Sequence, residues 1–130
     1  MSDLPFQINI TPGSPAYEQV IQAVHRALAS GQIKANDPFP SVRALSKAAR
    51  INPNTAHKVI QHLVSEGTLV VLPGRGTRVV DTETLPLNLR LEQIQEQLDQ
   101  LAVEASRLGF SEKELLSALK DTWKKIQKNS

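Results

Sequence analysis

The chain has 130 residues, 40% of them hydrophobic and 22% charged, with a net charge of +2. That length holds one modest domain and an appendage, and that balance belongs to a globular chain, not a disordered one. With no cysteine, no run of 18 apolar residues and no basic-then-apolar N-terminus, it is expected to be cytoplasmic, without thiolate chemistry, membrane span or signal peptide.

Charge is unevenly divided. Residues 1–80 carry eight Lys/Arg against four Asp/Glu, and residues 81–130 carry seven against nine. A basic front and an acidic back suggest that only the front meets a polyanion.

In chain order, Phe6-Gln7-Ile8-Asn9-Ile10 alternates as a short edge strand does. Ser14-Pro15 supplies a helix cap and a proline for the first turn. Tyr17, Val20, Ile21, Val24 and Leu28 then recur at helical spacing up to Gly31, which predicts a helix over about 15–29. After a proline-containing loop, Ser41 caps a short helix over about 42–49, with Val42, Leu45 and Ala49 facing inward. Asn52 caps the next helix and Pro53 fills its first turn, with Ala56, Val59, Ile60, Leu63 and Val64 on one apolar face. Two β-rich runs, 69–72 and 77–80, bracket Pro73-Gly74-Arg75-Gly76 as a hairpin with a glycine-rich tip.

The order from residue 14 to residue 80 is helix, helix, tight turn, helix, hairpin, which is a winged helix-turn-helix. Beyond a polar hinge at Asp81–Pro86 the pattern changes. Leu87, Leu91, Ile94, Leu98, Leu101, Ala105 and Leu108 alternate spacings of four and three, a seam along roughly 33 Å of helix. Gly109 ends it. Ser111 to Glu114 forms a capping box for a last helix whose stripe carries Leu116, Leu119, Trp123 and Ile126. A two-helix segment so rich in leucine needs another surface, most simply its own copy. The predicted fold is mainly α, with a winged helix-turn-helix over 1–80 and a two-helix dimerisation segment over 81–130. The dimer-forming side chains are predicted to be Leu91, Ile94, Leu98, Leu101, Leu108, Leu116, Leu119 and Trp123.

Five blocks carry a resemblance. Pro15-Ala16-Tyr17-Glu18-Gln19-Val20, Ser30-Gly31-Gln32-Ile33, Pro40-Ser41-Val42-Arg43-Ala44-Leu45, Asn52-Pro53-Asn54-Thr55 and Pro73-Gly74-Arg75-Gly76-Thr77 stand in order across residues 15–80. Together they resemble the GntR family of bacterial transcription regulators. The Asn-Pro-Asn-Thr turn and the short helical tail are similar to its YtrA subfamily. The resemblance implies a homodimeric regulator of transcription, usually a repressor, whose two-helix tail replaces a large effector domain and whose target genes often encode transporters. Three positions depart from the pattern: Ala44 where an acid is common, and Pro53 and His57 where arginines are common. Arginine contacts to guanine are therefore not carried over to 53 and 57.

These features make double-stranded DNA the expected partner. Ser41 and Arg43 stand in the family motif, with Arg43 on the polar face of its helix to reach a base edge or a phosphate. Asn54 can pair with adenine, whereas Asn52 divides between DNA and its cap role. Thr55 and the helix amides suit a phosphate, as does Lys58, and His57 faces either a base or water. Arg75, freed by Gly74 and Gly76, suits a minor groove or its phosphates. Lys47 and Arg78 are further phosphate candidates. Against these stand plainer alternatives: a solvated arginine at 43 and an ordinary glycine-rich turn at 73–76.

Enzymatic and metal functions are not expected, nor is any cofactor. His25, His57 and His62 lack ligand spacing, and the serines sit at caps with no nucleophile–base pairing. A protein-interaction adaptor is the alternative to a DNA-binding regulator. A small-molecule effector, if one acts, is expected between subunits or at the hinge, because the tail offers no evident polar cavity.

Overall fold

The computed structural model describes residues 4–128. The chain divides into two compact units, the first ending at Asp81 and the second beginning at Thr82.

In the first unit α1 spans Ala16–Ser30, β1 Pro38–Phe39, α2 Val42–Ala49, α3 Pro53–Ser65, β2 Leu69–Leu72 and β3 Gly76–Val79. α1 and α2 both pack on α3, and α3 packs on β2. One core joins them, with Val20, Val24, Leu45, Val59, Leu63 and Leu69 almost wholly buried. The inward sets of α1, α2 and α3 therefore follow the spacing in the sequence, and burying each such side chain is worth about 1.5–3 kcal/mol.

Four local expectations need correction. Phe6–Ile10 is not a strand. Phe6 instead stacks on Phe39 with centroids 5.9 Å apart, and both rings are buried. The arm is fastened a second time by Gln19, whose Nε2 donates to the carbonyls of Thr11 and Ser14 at 2.7 and 2.9 Å. Its Oε1 accepts from the Thr11 N–H at 2.9 Å. The cap residue of α1 is Pro15, with no side-chain cap bond, so Ser14 lies one position outside the cap.

The third correction is β1, a two-residue strand missing from the sequence expectation. It converts the hairpin into a three-stranded antiparallel sheet in the order β1-β3-β2. Pro38 lies opposite Arg78 and Phe39 opposite Thr77, and the Asn36 N–H donates to Val79 O at 2.8 Å. Pro38 lacks an N–H, which an edge strand tolerates. The fourth is Val64, which is 37% exposed. It lies about 100° round the helix from buried Leu63, at the margin of the apolar arc.

The second unit holds a 3₁₀ turn at Thr82–Thr84, α4 over Leu87–Arg107 and α5 over Glu112–Lys128. Gly109, at φ +82°, ends α4 in the left-handed region. The Phe110 N–H reaches back to Ala105 O at 2.9 Å and the Gly109 N–H to Ser106 O at 3.1 Å, the paired bonds of a Schellman stop. Ser111 and Glu114 close the capping box reciprocally: Ser111 Oγ accepts from the Glu114 N–H at 3.1 Å, and Glu114 Oε1 from the Ser111 N–H at 2.9 Å. Of the described residues on α4 and α5 only Ala105 is buried. Leu91, Ile94, Leu98, Leu101, Leu108, Leu116, Leu119 and Trp123 all stay exposed, from 39% for Leu98 to 63% for Trp123.

Candidate nucleic-acid interface

Local chemistry builds the start of α3. Asn52 Oδ1 accepts from the Asn54 N–H at 2.8 Å, and Pro53 occupies the first helical position with no N–H to satisfy. The Ala56 N–H is taken by Asn52 O at 3.0 Å. Among the described residues the Thr55 N–H has no acceptor, so one donor at the positive end of the helix remains for an anion. The Asn54 side chain is exposed and bonds to no described residue. His57 and Lys58 are exposed one turn further on, and Thr55 is half-buried.

α2 is held at its start by Ser41, whose Oγ accepts from the Ala44 N–H at 3.1 Å. Arg43 and Lys47 are exposed and four residues apart, so they share one stripe opposite buried Leu45 and Ala49. Ala44, where the family often has an acid, still supplies the capped N–H; only the return bond of a capping box is lost. The turn from α2 to α3 passes through Arg50 at φ +56°, with its N–H donating to Ser46 O.

At the wing, Leu72 pairs with Gly76 and the Arg75 N–H closes on Leu72 O at 3.0 Å. Gly74 and Gly76 sit at φ +74° and +76°. A Cβ on either would meet nothing within 4 Å, so conformation and not crowding demands glycine there. Arg75 is exposed at the tip, and Arg78, half-buried on β3, alternates to the opposite sheet face from Thr77 and Val79.

Among the described residues Arg43, Lys47, Lys58, Arg75 and Arg78 pair with no carboxylate, whereas Arg107 of the second unit is tied to Glu104. Five uncompensated cations on the helix-turn-helix and wing form the electrostatic footprint that phosphate binding requires. Ser41, His57 and Thr77 line one depression between α3 and the wing.

Three features escaped the sequence expectations. Gln61 is exposed on α3 in line with Asn54 and His57, a continuation that spacings of three and four from Asn54 would have revealed. Arg50 adds a further exposed cation at the turn. Glu66 stands between two histidines, with Oε1 2.6 Å from His25 Nε2 and Oε2 3.6 Å from His62 Nε2. Only folding brings His25 there, and Tyr17 meets the His62 ring edge-on at 5.9 Å. Among the described residues no group of three or more potential ligands is arranged to hold a metal ion. No helix among them is long and apolar enough to cross a membrane.

This geometry has relatives. The sequence model of the gntR family of bacterial regulatory proteins matches residues 16–79. The HTH-type transcriptional repressor YtrA of Bacillus subtilis (strain 168) is 34% identical over 116 residues, covering 88% of this chain and 89% of the relative. YtrA from Sulfolobus acidocaldarius, a GntR-family transcription factor, superposes with a TM-score of 0.59 at 25% identity, over 95% of this chain and 99% of that one. AraR(DBD), solved in complex with operator ORE1, covers 62% of this chain and 100% of its own, with a TM-score of 0.50 and 27% identity. The chain belongs to the gntR family of bacterial regulatory proteins.

Proposed function

We propose that this chain is a homodimeric transcriptional repressor, acting in the cytoplasm, that binds an inverted-repeat operator. Residues 1–80 contact DNA and residues 81–130 join two copies. The family is one of transcription regulators, not enzymes. The observation that carries the proposal is the surface shared by α2, the start of α3 and the wing: five cations without carboxylate partners beside an unengaged Asn54 side chain. Support comes from two relatives, a repressor similar along most of its length and a domain of similar fold solved on its operator.

In this arrangement α3 enters the major groove with its N-terminal residues toward the bases. Arg43, Asn54 and His57 select bases; Ser41, Thr55, Lys47 and Lys58 hold the backbone. Arg75, Gly76 and Arg78 place the wing, and Asn52 serves the helix first and the DNA second. Two copies present two such helices to half-sites about one helical turn apart. The exposed apolar stripes of α4 and α5 are the surfaces that join them.

Binding to the DNA upstream of its own gene, repeated over a range of salt concentrations, tests this. Each neutralised phosphate adds about −0.9 to the slope of log affinity against log salt, so Lys47, Lys58, Arg75 and Arg78 on each of two protomers give a slope of about −7. A flat salt response overturns the proposal.

A further inference from the structure

We propose that the depression between α3 and the wing is a binding site for an uncharged, largely apolar small molecule, and that filling it weakens DNA binding. The space measures about 510 Å³, within the range of small-ligand sites. Its apolar wall is Val42, Ile60, Val64 and Val71, drawn from α2, α3 and β2. Hydroxyl and amide groups of Ser41, Gln61 and Thr77 edge that wall.

The chemical class follows from what lines it. No Lys, Arg, Asp or Glu does so, although unpaired cations stand elsewhere on the same domain. A cationic ligand would lose hydration there without gaining a carboxylate, an anionic one would find only the His57 ring and neutral donors, and a phosphate has better places to go among the unpaired lysines and arginines. A neutral molecule with one or two hydrogen-bonding groups leaves nothing uncompensated. The walls belong to three elements of one packed unit, so the site is formed before any ligand arrives. It also explains Val64 and Val71, 37% and 59% exposed on a face turned toward the wing and α3.

The link to DNA rests on the function proposed above. Ser41 and His57 line this space and are also assigned to the DNA surface. A ligand that occupies them opposes DNA by an equal factor in both directions, as linkage requires.

The probe is N-phenyl-1-naphthylamine, a neutral aromatic amine that fluoresces in apolar sites, titrated into the full chain without DNA. Saturable binding is expected, and the Val64→Gln/Val71→Gln double variant should lose about tenfold or more in probe affinity, because both substitutions replace apolar contact with polar surface. Circular dichroism and DNA affinity without probe should match the parent. Saturating probe should raise the parent's apparent Kd for DNA several-fold and leave the double variant's unchanged. Absence of a saturable site, wild-type probe affinity in the double variant (as for a probe lodged on the exposed leucines), or a DNA affinity indifferent to probe would each overturn the proposal. A chain that binds probe as expected but no DNA would overturn the proposed function and leave the pocket standing.

Discussion

Asn52 Oδ1 lies 2.8 Å from the backbone nitrogen of Asn54 and accepts its hydrogen bond. Two asparagines that look equivalent in the sequence are thereby divided in role. The first closes the helix end, and the second keeps a free carboxamide at the end assigned to the bases. Asn52→Ala is expected to lower stability by about 1 kcal/mol, the worth of a good N-cap. Asn54→Ala is expected to leave stability unchanged and cost about 1–3 kcal/mol of binding at one base position. Thermal unfolding and competition with operators varied base by base read the two effects separately. Equal stability losses, or an Asn54→Ala loss spread evenly over all sequences, would refute the division.

Arg50 presents a different test, because its backbone at φ +56° is in the left-handed region without being glycine. A side chain there costs roughly 1–2 kcal/mol, and glycine would forfeit about 0.4–1 kcal/mol through a freer unfolded chain. Arg50→Gly is therefore expected to raise unfolding free energy by about 0.5–1 kcal/mol, the difference between those terms. The same substitution removes an exposed cation near α3. If Arg50 also meets phosphate, the more stable variant binds DNA more weakly and its salt slope shrinks by about 1.8, one phosphate for each protomer of the dimer. Denaturant unfolding and the salt series decide; a loss of stability counts against the strain assigned to this turn.

What was legible in the sequence was what local chemistry determines. Asn52-Pro53, the Ser111 capping box and the glycines at 74 and 76 each name their own structure, because cap, ring and positive φ act within a few residues. The inward faces of α1 to α3 followed from spacing, except at Val64, which spacing set on the apolar face of α3 and which is exposed at its margin. Phe6–Ile10 misled because alternation describes a strand only if a neighbouring strand exists, and Phe6 found the ring of Phe39 instead. Pro38–Phe39 is too short to carry a pattern; pairing with β3 defines it. At the candidate site, residue type announced the cations. Register was needed to place Arg78 on the sheet face away from Thr77, and packing was needed to bring His25 to Glu66.

The capping box of α5 gives the chain an acid-sensitive element. The backbone N–H of Ser111 and then its hydroxyl hold the Glu114 carboxyl below the usual glutamate range. A carboxyl lowered in the folded state stabilises that state fully at pH above its unfolded value, and the contribution disappears as pH falls through the folded value. Helix content should therefore decline on acidification with a component that Glu114→Gln removes, since glutamine keeps the capping acceptor but does not titrate. Ser111→Ala should weaken the helix at neutral pH as well. Circular dichroism from neutral to acid pH, parent against Glu114→Gln, is the measurement. Superimposable acid limbs would show that the box contributes no pH dependence.

The exposed seam of the second unit bears on whether two half-sites are read at once. Leu98 and Leu101 are 39% and 45% exposed on α4, and Trp123 is 63% exposed on α5. Large apolar side chains in a row on exposed helices are what a subunit interface is made of. The replacement Leu98→Glu/Leu101→Glu sets charges on that seam without touching the first unit's core. It is expected to convert a dimer to a monomer in sedimentation equilibrium while leaving the unfolding of the winged helix-turn-helix unchanged. A lone protomer still makes its half-site contacts, but it loses the tethering of one half-site by the other, worth about 10²–10⁴ in apparent affinity. Binding to a full inverted repeat should fall by about that factor, and binding to a single half-site should barely move. If the variant stays dimeric, the seam is not the interface. If it becomes monomeric and binds the full operator as tightly as the parent, the two halves of the operator are not read by two tethered copies.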